Sequence, residues 1–223
     1  MERKRAWPGF GSVRQQQSKA PCRPLGEALA QLQHLQKLVA SFAIDAVHFF
    51  RAFPQDRNSG SCWENLTSLS LTSRCLCANA SREHVEKLLL LAAGVAARHF
   101  PSLQMLEIWY GRRGQALLFR YRVMDGSVAE ISWCGTRALV LRPHIVRAWA
   151  LMSKRELRVV PGRIFSDSMV GSLGDAIYHL GLHPTVVHPQ SLKQMRRGQP
   201  RMMESSGWEN SELPTLQGED EDE

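Results

Sequence analysis

The stretch FPSLQMLEIWYGRRGQALLFRYRVMDGSVAEISW, residues 100–133, decides how the rest of the chain folds. Leu103, Leu106 and Ile108, with Met105 beside them, make a mostly apolar segment that Gly111 and Gly114 interrupt. Ala116 to Val123 follows, rich in Leu, Phe, Tyr and Val, residue types that suit a pleated surface. Asp125-Gly126 supplies a turn whose glycine tolerates positive φ, and Val128 to Trp133 runs back. The pattern predicts one strand followed by a hairpin. Because strand side chains alternate, Arg120 and Arg122 share one face of their strand, and Phe119 and Tyr121 share the other.

Upstream, Leu66-Thr-Ser-Leu69-Ser-Leu71 has the spacing L-x-x-L-x-[LI] that returns in Leu103-Gln-Met-Leu106-Glu-Ile108. Between the two copies the sequence predicts a helix, opened by Ser81 as N-cap with His84 at its third position and running to about His99. Val85, Leu88, Leu89, Ala92, Val95 and Ala96 face inward on it. That is a β-α-β unit, expected to be right-handed. A weaker third copy stands at Leu35-x-x-Leu38-x-Ala40. Leucine-rich repeats use this spacing because the leucines of each short strand point into a stacked core. Ahead of it, Leu25, Leu29, Leu32, Leu35 and Leu38 recur at helical intervals and predict an amphipathic helix, whose end is alternatively the entry to a strand through Leu38-Val39.

Downstream, Leu139-Val-Leu141 reads as a short strand and Pro143 as the first residue of a helix, a position proline favours. Ile145, Val146, Trp149 and Leu151-Met152 give its apolar face. Glu156 to Val160 reads as another strand, closed by Pro161-Gly162. Ser172 or Gly174 opens a short helix through Ala176, Ile177 and Leu180 that ends near Gly181, a natural residue just past a helix. Gln190 to Arg196 is a last helical piece.

Composition bounds the rest. The 223 residues are 43% hydrophobic, enough to bury a core, and the net charge is +7 although Glu219 to Glu223 are all acidic. Residues 1–24 are read as a disordered basic arm, 25–197 as a single globular domain and 198–223 as a disordered acidic tail. Within the domain, 25–110 is repeat-like and 111–197 holds the hairpin and C-terminal helices. No apolar run approaches the roughly 20 residues a membrane helix needs, and the basic N-terminus lacks a signal-peptide core. A cytoplasmic or nuclear protein is expected, with no membrane partner. Five cysteines, an odd number without a second pair beside Cys75-Leu76-Cys77, argue for reduced thiols over disulfides or zinc.

The fragments FPSLQMLEIWYGRRGQALLFRY, ISWCGTRALVLRPHIVRAW and GDAIYHLGLHPTVVHPQSL resemble a family of fungal proteins of unknown function. Its members often carry an F-box-like segment, leucine-rich-repeat-like units and a characteristic C-terminal domain. The resemblance covers about residues 35–196 and is most specific at Trp-x-Gly-Thr (Trp133 to Thr136) and Val-His-Pro-x-Ser-Leu (Val187 to Leu192). It implies an architecture and a protein-recognition role, and no catalytic residues. No F-box-like LPxE-type segment precedes residue 25, which argues against docking to a ubiquitin-ligase adaptor. By this resemblance the chain looks like the C-terminal two-thirds of a longer relative.

Other constellations resolve more simply. His179, His183 and His188 are spaced like metal ligands, but Gly181 and Pro184 break any common helix face, and no carboxylate pair completes a shell. Asp167 and Asp175 with these histidines resemble an acid–base set, yet Asp175 stands at a helix start, where a carboxylate favours the helix dipole. The serines at 166, 168 and 172 form no nucleophile elbow. Gly111-Arg112-Arg113-Gly114 lacks the length and the Lys-Ser/Thr of a phosphate loop and is a tight strand connection. Trp109, Trp133 and Trp149 are core residues. The expected fold is α/β or α+β: a leucine-rich-repeat-like β-α-β layer, then a strand-hairpin and C-terminal helices. The expected function is a non-enzymatic protein-interaction module without cofactor, contacting its partner through Arg112, Arg113, Arg120 and Arg122. The alternatives are nucleic-acid binding through that basic face and an unrecognised enzyme.

Overall fold

The computed structural model describes residues 34–54, 62–182 and 186–197. In it, six strands form one mixed sheet in chain order: β1 (Lys37–Val39), β2 (Ser68–Thr72), β3 (Met105–Arg112), β4 (Gln115–Val123), β5 (Val128–Gly135) and β6 (Glu156–Ile164). The first three strands run parallel, β4 is antiparallel to both of its neighbours, and β6 runs parallel to β5. Helices α1 (Ala46–Arg51), α2 (Arg82–His99) and α3 (Pro143–Ser153) lie within the three crossovers between parallel strands. After β6 come α4 (Leu173–His179) and α5 (Pro189–Arg197). The content is mixed α/β, as the sequence predicts.

The leucine spacing sets the register. Leu38 stands opposite Leu69, and Leu69 opposite Leu106; Leu71 stands opposite Ile108. The last four of these side chains are fully buried, and Leu35, Leu38 and Ala40 pack at the rim of the same core. A shift by one residue would turn each set to the other face, so the hydrophobic pattern enforces this pairing. Helix α2 begins where expected: Ser81 Oγ accepts from the His84 N–H at 3.2 Å and lies 2.8 Å from His84 Nδ1. Its Leu88, Leu89, Ala92 and Val95 are fully buried, each larger side chain contributing about 1.5–3 kcal/mol.

Two cores result, one on each face of the sheet. The larger joins the inward faces of β2–β5 to α1, α2 and α3, with Trp63, Trp133 and Trp149 among its members. The smaller gathers Trp109, Ala116 and Leu118 from β3 and β4 with Ala176, Ile177, Leu182 and Leu192 from the α4–α5 region. Gly111 permits the close fit of α4, because a Cβ there would lie 2.8 Å from that of Ala176. The hairpin turns are as predicted, with Gly114 at φ +74° and Gly126 at φ +71°.

Four expectations need correction. The helix predicted over residues 25–38 lies outside the described residues up to 33, and its end is strand β1, the alternative reading. Leu139 to Leu141 pairs with no strand: Trp133 Nε1 donates to the Arg137 carbonyl at 2.8 Å, and Arg137 Nη1 to that of Ala78 at 2.7 Å, holding the chain away from the sheet. Leu139 and Leu141 still pack on the core while Val140 is exposed, so the alternation is genuine but the partner strand is missing. Leu151 is 74% exposed and does not belong to the apolar face of α3. Pro161-Gly162 does not close β6, which continues to Ile164. An edge strand tolerates proline, and Gly162 allows the Trp133 carbonyl to approach where β5 and β6 shift register. The arm and tail boundaries at 24 and 198 also fall outside the described residues.

Candidate functional site

The four arginines expected to act together are divided by the fold. Arg120 and Arg122 do share a face, the one opposite Phe119 and Tyr121, since Phe119 and Tyr121 belong to the larger core. Arg112 alternates with Trp109 and Gly111, whose side is the smaller core, and therefore points to the other face. Arg122 pairs with Met105 and Arg112 with Gln115, at opposite ends of the hairpin, roughly 24 Å apart at about 3.4 Å per residue. Arg113 is exposed in the turn, where the Gly114 N–H donates to the Val170 carbonyl at 2.7 Å. The sequence gives the face of each residue on its own strand; the hairpin and the helix α4 laid across it separate the pairs.

Around Arg120 and Arg122 the sheet carries a depression of about 280 Å3. Its floor is β4 and β5, one wall is β6, and the other is the C-terminal end of α4. Arg120 contributes the central contact, with Nε 2.8 Å and Nη2 2.7 Å from Oε1 of Glu107, whose residue is 1% exposed. Nη2 also donates to the carbonyls of Leu180 at 3.3 Å and Gly181 at 3.4 Å. Those carbonyls close α4, where Gly181 at φ +67° and the Leu182 N–H donating to the Ile177 carbonyl form a left-handed cap. Arg122 Nη2 reaches Glu130 Oε2 at 3.4 Å. Arg163 lies 5.9 Å over the Phe165 ring, and His179 packs on the same ring at 5.5 Å.

Cys134 lines this depression, and its thiol is pushed above its ordinary value mainly by burial. Arg120 opposes that rise, the Glu107 carboxylate adds to it, and Arg163 opposes it. The thiol therefore stays protonated at neutral pH, a poor nucleophile. Three arginines against two glutamates leave one net positive charge around the depression. That arrangement suits a carboxylate or another acidic group.

The remaining sequence candidates have structural placements. Asp175 accepts from Ser172 Oγ at 2.9 Å and from Arg196 Nε at 3.0 Å, so it pins α5 to the start of α4. The Arg196 guanidinium lies 4.0 Å from the centroid of the Tyr178 ring. Ser166 caps a short 3-10 turn over Asp167–Met169. His188 Nδ1 accepts from the Gln190 N–H at 3.3 Å, and His183 lies outside the described residues. Among the described residues, no group of three or more His, Cys, Asp or Glu is placed to hold a metal ion. Cys62, Cys75, Cys77 and Cys134 are free thiols, of which Cys75 is the most buried.

Trp-x-Gly-Thr and Val-His-Pro-x-Ser-Leu are structural. Gly135, at φ +142°, lets β5 pass the Ala116 carbonyl, and Thr136 Oγ1 accepts from the Ala116 N–H at 3.2 Å. Pro189 begins α5, and Leu192 enters the smaller core. Sequence reasoning missed Glu107, Glu130, Arg163 and the place of His179. A signal for Glu107 existed: a carboxylate inside an otherwise apolar strand requires a partner, and Arg120 is the arginine its hairpin register supplies.

Among the described residues no helix is long and apolar enough to cross a membrane. No curated protein and no solved structure matches the chain. The model of a family of unknown function, DUF6546, matches residues 2–188. The expectation of an unknown-function family is met at that level, and the match spans both halves of the sheet and the helix whose end walls the depression. The chain belongs to this family of unknown function, DUF6546.

Proposed function

We propose that the protein is a non-enzymatic interaction module that receives an acidic protein partner in the depression beside β6. The observation that carries this reading is the convergence of Arg120 and Arg122 from β4 and Arg163 from β6 around one opening, with Glu107 and Glu130 pairing with two of them. Held guanidinium groups bind carboxylates with less ordering cost than free ones. The protonated Cys134 supports a binding role over nucleophilic chemistry. The likeness to the recognition part of F-box-associated, leucine-rich-repeat-like proteins belongs to this reading as a proposal. Nucleic-acid binding is favoured less, because Arg112 and Arg113 stand apart from Arg120 and Arg122.

The test compares the full chain with an Arg122→Glu/Arg163→Glu variant in affinity capture from cell extract at low and moderate salt. Both side chains are exposed, so the variant is expected to keep the fold. Proteins held by the parent at moderate salt and lost by the variant support the reading. Proteins held equally by both place recognition elsewhere. Retention of nucleic acid alone, falling steeply with salt, moves the assignment to the basic-face alternative.

A further inference from the structure

We infer that the depression beside β6 is also the docking place of a segment of this chain itself, the acidic run Glu219 to Glu223 with the residues that lead into it. The inference rests on reading that depression as an acceptor of acidic groups. Residues 212–223, ELPTLQGEDEDE, place Leu213 and Leu216 just ahead of an unbroken run of carboxylates. The depression offers the complement. Val160, 36% exposed, stands on the β6 wall with Arg163, and Arg122 enters from β4. Arg163 is exposed, lies over the Phe165 ring, and forms no ion pair with a described carboxylate. Arg122 keeps 50% of its side chain exposed, and its 3.4 Å contact with Glu130 is a surface pair that another carboxylate exchanges at little cost.

The place where α5 ends brings the run within reach. Arg196, in the last turn of α5, lies against the start of α4. Its Nε is 3.0 Å from Asp175 Oδ1, and a Cβ on Gly174 would come within 2.6 Å of its backbone nitrogen. The depression opens at the other end of the same helix, at His179 to Gly181. From Leu173 to His179 that helix rises only about 9 Å, at roughly 1.5 Å per residue. Residues 198–218, which join α5 to the acidic run, have a fully extended reach of about 70 Å. A tether in that range sets an effective concentration of about a millimolar, so contacts too weak to hold a free peptide are populated within one chain. The docked run sets its carboxylates against Arg122 and Arg163 and its leucines against Val160. An acidic partner must then displace it, and salt loosens it.

The test titrates a synthetic peptide of residues 212–223 onto the labelled full chain, held at about 0.1 μM so that tails of other copies do not compete. Four chains are compared by thermophoresis: the parent, a neutral-tail variant, Arg122→Glu/Arg163→Glu, and the combination. The neutral tail carries Glu219→Gln, Asp220→Asn, Glu221→Gln, Asp222→Asn and Glu223→Gln. The peptide should bind the neutral-tail chain about fivefold tighter than the parent, because its own tail no longer occupies the depression. In the Arg122→Glu/Arg163→Glu background the peptide should bind about tenfold more weakly, and neutralising the tail should change nothing further. Equal affinity of parent and neutral-tail chains overturns the self-docking. So does a fivefold gain that persists without the two arginines, since net charge alone then explains it. A gain that appears only as protein concentration is raised assigns the occupant to a second copy and overturns it as well. The underlying reading is judged separately: peptide binding that depends on Arg122 and Arg163 but not on the tail leaves the acidic-group acceptor standing, and peptide binding indifferent to those arginines, or absent from every chain, overturns both.

Discussion

Glu107→Gln tests whether the Glu107–Arg120 pair is the pivot between the sheet and α4. The substitution keeps the shape of the side chain and removes its charge. In the native protein this carboxylate, with only 2% of its side chain exposed, faces an arginine with 26% exposed. Breaking a fully buried pair costs about 3–5 kcal/mol; the partial exposure of Arg120 lets water recover part of it, which leaves about 2–3 kcal/mol. At about 2–3 kcal/mol per molar of urea, the unfolding midpoint should fall by about 1 M. Far-ultraviolet circular dichroism and tryptophan fluorescence, followed on the same samples, report the whole sheet and the cores together. Because an apolar replacement of both partners restores a balanced interior, Glu107→Leu/Arg120→Met should lie much closer to the parent than the sum of its single variants. A shift below about 0.5 kcal/mol for Glu107→Gln, or strict additivity in the double variant, refutes the reasoning.

Two further outcomes follow from the backbone and the thiols. Gly162→Ala should cost about 3 kcal/mol or more, since its Cβ would lie 1.7 Å from the Trp133 carbonyl oxygen. Gly114→Ala, with open space around it but φ +74°, should cost only about 1–2 kcal/mol, and equal losses in thermal unfolding would contradict this distinction. The Cys75 thiol is pushed up to about 12, first by burial and then by the Asp45 charge. Folded and unfolded states both hold its proton below the ordinary value of 9.0; between there and about 12 only the folded state holds it, so stability falls as pH rises through that window. Cys75→Ala should show a shallower alkaline loss of the urea midpoint than the parent, and unchanged steepness would rule out this thiol as the cause.

The sequence by itself determined what local chemistry can determine. Strand β3 and the hairpin of β4 and β5 followed from alternation and from glycines at the two turns, because a turn that needs positive φ leaves few other residues. The start of α2 followed from Ser81, and the parallel pairing of β2 with β3 from leucines whose burial allows one register. Where pattern and pairing part, the sequence misled. Leu139 to Leu141 alternates like a strand, but a strand also needs a neighbour, and Arg137 ties this segment elsewhere. Pro161-Gly162 punctuates most strands, but at a sheet edge the missing N–H costs little.

The candidate site was legible only by halves. Alternation placed Arg120 and Arg122 on one face, yet it could not show that Arg112 lies across the sheet, that Glu107 neutralises Arg120, or that Arg163 arrives from β6. Those facts depend on which strands become neighbours and on how far each helix reaches across them. Short-range sterics act between residues near in the chain and leave a periodic trace in it. The meeting of charges from β3, β4 and β6 with the end of α4 leaves none, because it is fixed only when both faces of the sheet are packed.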